Sequence, residues 1–180
     1  MKNTEVLNLL QQLIAIPSLS KEEEKTADAI EVFLKNKNVE VNRYLNNVWV
    51  KNKLFDEAKP TILLNSHHDT VKPNQGYTKD PFNAIIEDGK LYGLGSNDAG
   101  GALVSLLAAF LFYYDKPLAY NLIFSATAEE EISGRNGIET LLPLLGKIDF
   151  AIVGEPTKMQ LAIAEKGLMV LDCITHGISG

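Results

Sequence analysis

Two histidines and an aspartate, His67, His68 and Asp69, closely follow the apolar run 61–65. A short strand that ends in imidazole and carboxylate groups is how an α/β protein places metal ligands or a general base at the mouth of its sheet. The three residues therefore indicate a metal site or an acid–base site. The alternative is that both histidines are polar residues of a surface loop.

Carboxylates follow three other segments, at points where a strand or hairpin is predicted to end. Asp98 lies in the glycine-rich segment 93–101, three glutamates occupy 129–131, and Glu155 follows the last apolar run. The carboxyl ends of the strands in a doubly wound sheet share one crevice, so these groups would converge there with His67. The alternative for 129–131 is a solvated charge run.

An acidic cluster of this kind needs a counter-charge, because glutamates buried together repel one another. One imidazole with several carboxylate oxygens suits Zn²⁺, Mn²⁺ or Co²⁺ better than Ca²⁺. Two residues apart on extended chain, His67 and Asp69 face the same side, so Asp69 could hold the ring N–H that the metal does not use. Adjacent Glu130 and Glu131 would face opposite ways on a strand, so that one binds metal and the other addresses a metal-bound water.

The glycines around Asp98 have two interpretations. They would let the backbone crowd a metal site, because glycine has no Cβ. They could also form a phosphate-cradling loop, but no third glycine follows at dinucleotide spacing, which disfavours nucleotide binding. The four glycines are Gly93, Gly95, Gly100 and Gly101.

Hydrophobic periodicity predicts elements that alternate between strand and helix, and this alternation predicts a doubly wound, mostly parallel α/β sheet with flanking helices. A capping box at Ser20 and Glu23 is expected to start the second helix. The predicted helices cover 6–16, 21–38, 102–114 and 138–145, the predicted strands 61–65, 121–126 and 150–153, and the predicted hairpins pair 39–41 with 48–50 and 84–86 with 90–92. Two further strands are expected at 161–164 and 168–175.

Bulk properties exclude several classes of protein. The 180 residues are 46% hydrophobic and 22% charged, which predicts a globular fold with a real core. A net charge of −6 without any basic run argues against nucleic acid as a partner and favours a small molecule. The apolar run 102–114 is too short for a membrane span, and the N-terminus lacks a signal peptide, so a cytoplasmic location is expected. Cys173 is interpreted as a small core residue rather than a catalytic thiol.

Four motifs in order resemble the co-catalytic zinc peptidase and deacylase family that includes acetylornithine deacetylase, succinyl-diaminopimelate desuccinylase, aminoacylase and carboxypeptidase G. Residues 66–71 resemble its His-x-Asp motif and 93–98 its Gly-x-Gly-x-x-Asp motif. Residues 128–131 resemble its acidic pair after a strand, and 153–157 its Gly-Glu-Pro motif.

The resemblance implies two divalent metals, zinc or alternatively cobalt, in one catalytic site. Asp98 would bridge them, His67 and Glu155 would complete one metal site, and Glu131 would belong to the other. Glu130 would be the general base, with Asp69 as the second catalytic residue. The resemblance also implies a cis peptide between Asp98 and Ala99.

Two features depart from the family pattern. Glu129 stands where an aspartate usually precedes the acidic pair. The family's second metal also takes a histidine from near the C-terminus of a chain about twice this length, which these residues do not supply. His68 occupies the variable position of its motif and is expected to support the site rather than ligate a metal.

The resemblance implies a metal-dependent amidohydrolase that cleaves N-acyl amino acids, most like the acetylornithine deacetylase branch. A desuccinylase or dipeptidase of the same family is the alternative, and a non-catalytic metal-binding module is a second one. Residues 1–165 would be the N-terminal part of the catalytic domain, and 166–180 a strand that leads into a missing lid domain. The full chain would form a homodimer through that lid, and the 180-residue piece would be inactive.

Overall fold

A computed structural model describes residues 3–164, 167, 171 and 173–178 of the chain. Within this part, four helices and seven strands follow the predicted alternation. The helices are α1 (Asn3–Ile14), α2 (Glu24–Lys35), α3 (Gly101–Tyr113) and α4 (Ile138–Leu145). The strands are β1 (Asn42–Tyr44), β2 (Asn47–Lys51), β3 (Thr61–His67), β4 (Ile85–Glu87), β5 (Lys90–Tyr92), β6 (Asn121–Thr127) and β7 (Phe150–Val153).

The central sheet has five strands in the order β1-β2-β6-β3-β7. β3 pairs in parallel with β6 and β7, whereas β2 is antiparallel to both of its neighbours. Four of the five strands therefore point the same way, which confirms the predicted mostly parallel α/β sheet. The register sets His67 opposite Thr127 and Asn65 opposite Val153, so β3, β6 and β7 end side by side at one edge.

The sheet is covered on both faces, because alternate residues of its central strands belong to different hydrophobic clusters. Leu64, Phe124 and Val48 pack with α1, α2 and α3 in the larger cluster. Leu63 and Ile123 pack with α4 in the smaller cluster on the opposite face. A period of two along β2, β3 and β6 thus fixes which side chains face which helix layer.

The expected capping box at Ser20 and Glu23 is wrong. α2 begins at Glu24, and Glu23 caps it without a side-chain hydrogen bond to the helix. The Ser20 hydroxyl instead donates to Asp69 Oδ2 at 2.7 Å, and the Glu23 carboxylate accepts from the Lys21 amide at 2.6 Å. The Ser20 hydroxyl thus donates to a buried carboxylate, and hydrogen bonds to charged groups are the stronger ones.

The first strand lies three residues later than expected, at 42–44 instead of 39–41. The chain closes the end of α2 first: Asn38 adopts a positive φ of 57°, and the Val39 amide donates to the Leu34 carbonyl at 3.2 Å. Val39 is consequently a buried core residue just beyond the helix rather than part of the sheet.

The strand expected at 161–164 is also wrong, because these residues form no strand and their side chains are exposed. No partner strand lies beside them in the part of the chain that the structure describes. The strand expected at 168–175 includes residues that lie outside the described ones. No helix among the described residues is both long and apolar enough to cross a bilayer.

Candidate metal centre

His67 lies at the end of β3 with its side chain 1% exposed. Its Nδ1 atom is 3.1 Å from the main-chain oxygen of Asp69 and 3.3 Å from Oδ1 of the same residue. Both oxygens can only accept, so this nitrogen carries the hydrogen and Nε2 is left to face the crevice. The structure therefore places Asp69 on the nitrogen that a metal would not use.

Carboxylates from three separate segments face the other ring nitrogen. Asp98 Oδ1 lies 3.1 Å from His67 Nε2, Glu155 Oε2 lies 3.8 Å away and Glu130 Oε2 lies 3.9 Å away. Ligand atoms of His67, Asp98 and Glu131 all lie within 4.8 Å of one another. The crevice at the end of the parallel strands thus gathers the residues that the sequence singled out.

The electrostatics of this cluster call for a cation. Burial alone would lower the pKa of His67, but the carboxylates of Asp69, Glu155 and Asp98 outweigh it and raise the pKa to about 9. Burial raises the pKa of Glu155 to about 7; the imidazole of His67 opposes this rise, and the neighbouring carboxylates add to it. In the absence of a metal, protons on His67 and Glu155 reduce the repulsion among the carboxylates.

A divalent cation fits the same donors, which are one imidazole nitrogen and several carboxylate oxygens. Burial and the negative charge of Asp98 raise the pKa of Glu131, so its ionised form is disfavoured until a positive charge arrives. This donor set suits Zn²⁺ or a similar transition-metal ion and lacks the thiolates of many structural zinc sites. The arrangement supports a metal site, and the chemistry of the donors does not identify the metal.

A tight turn between β5 and α3 positions Asp98. Gly95 adopts a φ of 75°, a conformation that favours glycine. A hydrogen bond from the Gly100 N–H to the Gly95 carbonyl, 2.8 Å long, closes the turn. A Cβ on Gly100 would lie 2.5 Å from that carbonyl oxygen. The peptide bond between Asp98 and Ala99 is cis, as the resemblance predicted. The glycines therefore serve close packing around Asp98.

The expectation that Glu130 and Glu131 lie on a strand is wrong. β6 ends at Thr127, Glu129 adopts a positive φ of 55°, and Glu130–Ile132 form one turn of 3₁₀ helix. The chain leaves the sheet here because side chains bind its amides: Asp69 accepts from the Glu130 N–H at 3.0 Å and from the Glu131 N–H at 3.2 Å. Both carboxylates remain beside His67 although they are not on a strand.

Glu155 follows β7 and is held through its neighbour Gly154. The Gly154 amide donates to the Asn65 carbonyl at 2.8 Å, and the buried Ser66 hydroxyl donates to the Gly154 carbonyl at 2.8 Å. Both contacts extend the pairing of β7 with β3 beyond the last paired residues. The end of β3 therefore positions Glu155 as well as His67.

His68 faces away from the acidic cluster. Its Nε2 lies 2.9 Å from the Asn46 carbonyl, which makes this nitrogen the donor, and its Nδ1 lies 2.9 Å from the Thr26 hydroxyl. Burial lowers its pKa, although the Asn46 carbonyl opposes the shift. Both ring nitrogens are occupied by protein groups, so His68 supports the surrounding structure and has no free nitrogen for a metal.

Sequence reasoning missed the residues that shape the turn after β6. Ser20, Glu23 and Asn47 all contact Asp69 or the amides of 128–131. The spacing of Ser20 and Glu23 is typical of a capping box, so the sequence predicts a helix cap there and not contacts with this turn. Asn47 lies between the two strands of the predicted hairpin, 39–41 and 48–50, and nothing in its sequence neighbourhood indicates a contact 81 residues away.

Comparison with known proteins places this geometry in context. The sequence profile described as "Peptidase family M20/M25/M40" matches residues 63–166. The chain is 30% identical to a succinyl-diaminopimelate desuccinylase of Blochmanniella pennsylvanica, over all of this chain and 52% of the relative. It is 32% identical to an acetylornithine deacetylase of Proteus mirabilis, over 89% of this chain and 45% of the relative.

A solved structure agrees with the fold. An M20 family metallo-carboxypeptidase from Sulfolobus solfataricus superposes with a TM-score of 0.70 at 26% identity, covering 86% of this chain and 37% of that one. The chain spans about half the length of the two curated relatives named above.

Proposed function

The chain belongs to peptidase family M20/M25/M40, a family of hydrolases, and on this premise we propose that it supplies the metal site and general base of an amidohydrolase acting on N-acyl amino acids. One observation carries the proposal: His67 Nε2 faces Asp98, Glu155 and Glu130 while Asp69 occupies the other ring nitrogen. A buried imidazole that faces three carboxylates offers nitrogen and oxygen ligands to a cation, and the same carboxylates repel one another when no cation is bound.

In this proposal His67, Asp98, Glu131 and Glu155 would hold two divalent metals, Zn²⁺ or Co²⁺, and Asp98 would contribute to both sites. Such ions polarise an amide carbonyl and increase the acidity of water. The cluster offers more carboxylate oxygens than one tetrahedral ion needs, which supports a dinuclear site.

Glu130 is proposed as the general base. Its side chain is 53% exposed at the crevice, and its carboxylate lies 3.9 Å from His67 Nε2, the longest of the three carboxylate distances. A carboxylate at the mouth of the crevice can reach both a water molecule and a substrate amide. Glu130 would take a proton from the attacking water and deliver it to the leaving amine, while Asp69 keeps the His67 ring in place.

The acyl group is proposed as acetyl, which the motif resemblance to the acetylornithine deacetylase branch supports. Relatives named desuccinylase and deacetylase match at 30% and 32% identity, which keeps a desuccinylase as the second candidate. A dipeptidase of the same family is a third. A non-catalytic metal-binding module is disfavoured, because a purely structural site has no use for an exposed glutamate beside the ligands.

The test is a hydrolysis assay on the complete protein that contains this chain, loaded with zinc or cobalt. N-acetylornithine, N-succinyl-diaminopimelate and a set of dipeptides are each incubated, and released amine is measured with and without a chelator. We expect metal-dependent release, fastest from the acetylated substrate. Metal binding without release from any of these amides would contradict the enzyme proposal, and faster release from the succinylated substrate would replace the acetyl assignment.

A further inference from the structure

Glu23 is a fully buried carboxylate, 0% exposed, that none of the proposed roles uses. A buried charge of this kind persists only when hydrogen bonds replace its water. Oε1 accepts from the Lys21 amide at 2.6 Å and from the Glu129 amide at 3.2 Å, and Oε2 accepts from Asn46 Nδ2 at 3.1 Å. The bond to Glu129 joins residues 106 positions apart, so it is the one with consequences beyond the local chain.

Glu129 holds an unusual backbone conformation directly before the proposed base and ligand. Its φ of 55° and ψ of 24° lie in the left-handed region, which a glutamate adopts only when its surroundings impose it. Its own carboxylate accepts from Asn136 Nδ2 at 2.9 Å, and the Gly134 amide donates to its carbonyl at 2.8 Å. This residue sets the direction in which the next two leave the sheet.

Four successive amides of this turn donate to side chains rather than to main-chain carbonyls. Asn47 Oδ1 binds the Ala128 N–H at 3.0 Å, and Glu23 binds the Glu129 N–H. Asp69 binds the next two amides, as described above. Among these three acceptors, Asp69 also contacts His67, whereas the Glu23 side chain contacts no residue that is proposed as a metal ligand or general base.

We propose that Glu23 is a positioning residue, which holds the Glu129 amide so that Glu130 and Glu131 stay aimed at His67. The proposal rests on the proposed function, because it assigns Glu23 a part in the same reaction. A misplacement of about 1 Å in a catalytic group costs on the order of 100-fold in rate. Loss of the Glu23 Oε1 acceptor at its observed position therefore lowers kcat, while substrate binding changes little.

Three substitutions separate geometry from charge. Glu23→Ala removes all three hydrogen bonds. Glu23→Asp keeps the charge but withdraws the carboxylate by one methylene from the Glu129 N–H. Glu23→Gln keeps an oxygen where Oε1 accepts both amides and changes only the contact to Asn46. Glu22→Ala is the matched control, because Glu22 is an exposed neighbour whose side chain makes no contact with the turn.

The experiment uses the complete metal-loaded protein for kcat and KM, and its metal-free form for hydrogen–deuterium exchange of the 129–131 amides. We expect Glu23→Ala and Glu23→Asp to lower kcat by about 10- to 100-fold with KM within about threefold of the unmodified protein. Both should exchange the Glu129 amide about tenfold faster. Glu23→Gln should stay within about threefold of the unmodified protein in kcat, and Glu22→Ala should match it in every readout.

Unchanged kcat in a folded Glu23→Asp variant overturns the proposal, and it does so even if Glu23→Ala fails to fold. An equal loss in Glu23→Gln and Glu23→Ala also overturns it, because charge rather than the Oε1 contact would then be the cause. If the unmodified protein hydrolyses no amide, the hydrolase proposal fails separately. Exchange at Glu129 then decides alone whether Glu23 holds the turn: faster exchange in Glu23→Asp supports this, and unchanged exchange refutes it.

Discussion

Two neighbouring groups of carboxylates are treated in opposite ways by this fold. The acidic rim, which consists of Asp98, Glu130, Glu131 and Glu155, lies at the crevice with side chains that are partly exposed. The buried carboxylates, Glu23, Asp69 and Glu129, lie immediately beneath it and are each nearly inaccessible to solvent.

Their hydrogen-bond partners differ accordingly. Each buried carboxylate accepts from at least two N–H or O–H donors, so hydrogen bonds from the chain replace the water that would otherwise solvate its charge. Among the described residues, three of the four rim carboxylates, those of Asp98, Glu130 and Glu155, have a basic nitrogen within 4.0 Å, and in each case it is His67 Nε2. Carboxylates that are surrounded by hydrogen-bond donors thus fix the backbone conformation, whereas carboxylates that lack such donors are suited to bind a cation.

The largest effect tests the rim. Glu130→Gln should keep the fold and the bound metal but lower kcat by about 10³-fold or more, because the amide cannot take a proton from water. Steady-state kinetics together with metal analysis of the purified variant measure both properties. Glu139→Gln, an exposed glutamate on α4, is the control and should behave like the unmodified protein. Rates that survive in the Glu130 variant would remove it from the base role.

The second prediction asks whether the rim is functional rather than structural. Glu131→Gln should weaken metal binding by at least about 100-fold, because it removes a proposed ligand. The metal-free variant should melt at the same temperature or slightly higher, since burial and Asp98 already disfavour the ionised side chain. Isothermal titration and thermal melting check the two halves. A melting temperature several degrees lower would show that Glu131 belongs with the buried carboxylates.

The third prediction concerns the buried side of the comparison. Asn47→Ala removes two donated hydrogen bonds, to the Tyr44 and Asn136 carbonyls, and one accepted from Ala128. We expect the free energy of unfolding to fall by about 2 kcal/mol and the melting temperature by about 5 °C.

Metal affinity of the folded Asn47→Ala variant should change by less than about threefold, since Asn47 binds only the Ala128 amide of the turn after β6, while Glu23 and Asp69 still hold the amides of residues 129–131. Asn83→Ala, at an exposed asparagine, is the control for the loss of an amide. A large loss of metal affinity in Asn47→Ala without a loss of stability would contradict the separation between buried residues that stabilise the fold and rim carboxylates that bind metal.

The smallest effect is a pH dependence of the metal-free protein. Burial lowers the pKa of His68, so the unfolded chain takes up a proton before the folded chain does as the pH falls below 6.5. The stability that neutral His68 contributes is present above that pH and is lost as the pH falls. His68→Gln should therefore lose about 2 °C less melting temperature between pH 7 and 5.5 than the unmodified protein. His176→Gln, at an exposed histidine, should leave the slope unchanged.

His67 should show the opposite window. Its folded pKa of about 9 lies above its ordinary value of 6.5, so its contribution is complete below pH 6.5 and is lost as the pH rises through 9. The pKa values of these two adjacent histidines are thus shifted in opposite directions, that of His67 upward by neighbouring carboxylates and that of His68 downward by burial.

Much of the fold could be predicted because it depends on local patterns. The continuous apolar run of β3 and the glycine-rich approach to α3 were sufficient to predict both elements near their observed bounds. The convergence of His67 and Glu155 followed from a general rule about parallel strands, whereas Asp98 reaches the crevice from the turn between the separate β4–β5 hairpin and α3. The roles of these residues as ligands, the dimer and the cytoplasmic location stay predictions.

The parts that could not be predicted depend on contacts between distant residues. Glu130 and Glu131 leave the sheet because Asp69, 61 and 62 positions earlier, accepts their amides. Ser20 was expected to cap α2, and no local pattern could show that its hydroxyl donates to the buried carboxylate of Asp69, 49 positions later. Hydrophobic periodicity predicts which face of a helix or strand a residue occupies, but it does not predict which distant side chain will accept a hydrogen bond from an unpaired backbone amide.

The turn after β6 has a consequence for protein engineering. Its amides are bound by Asn47, Glu23 and Asp69, so the conformation of 128–131 is encoded mainly outside its own four residues. Grafting this segment into another α/β scaffold would transfer two glutamates without the shape that aims them. A successful transplant would need at least Glu23 and Asp69 as well, each in the same spatial relation to the strand.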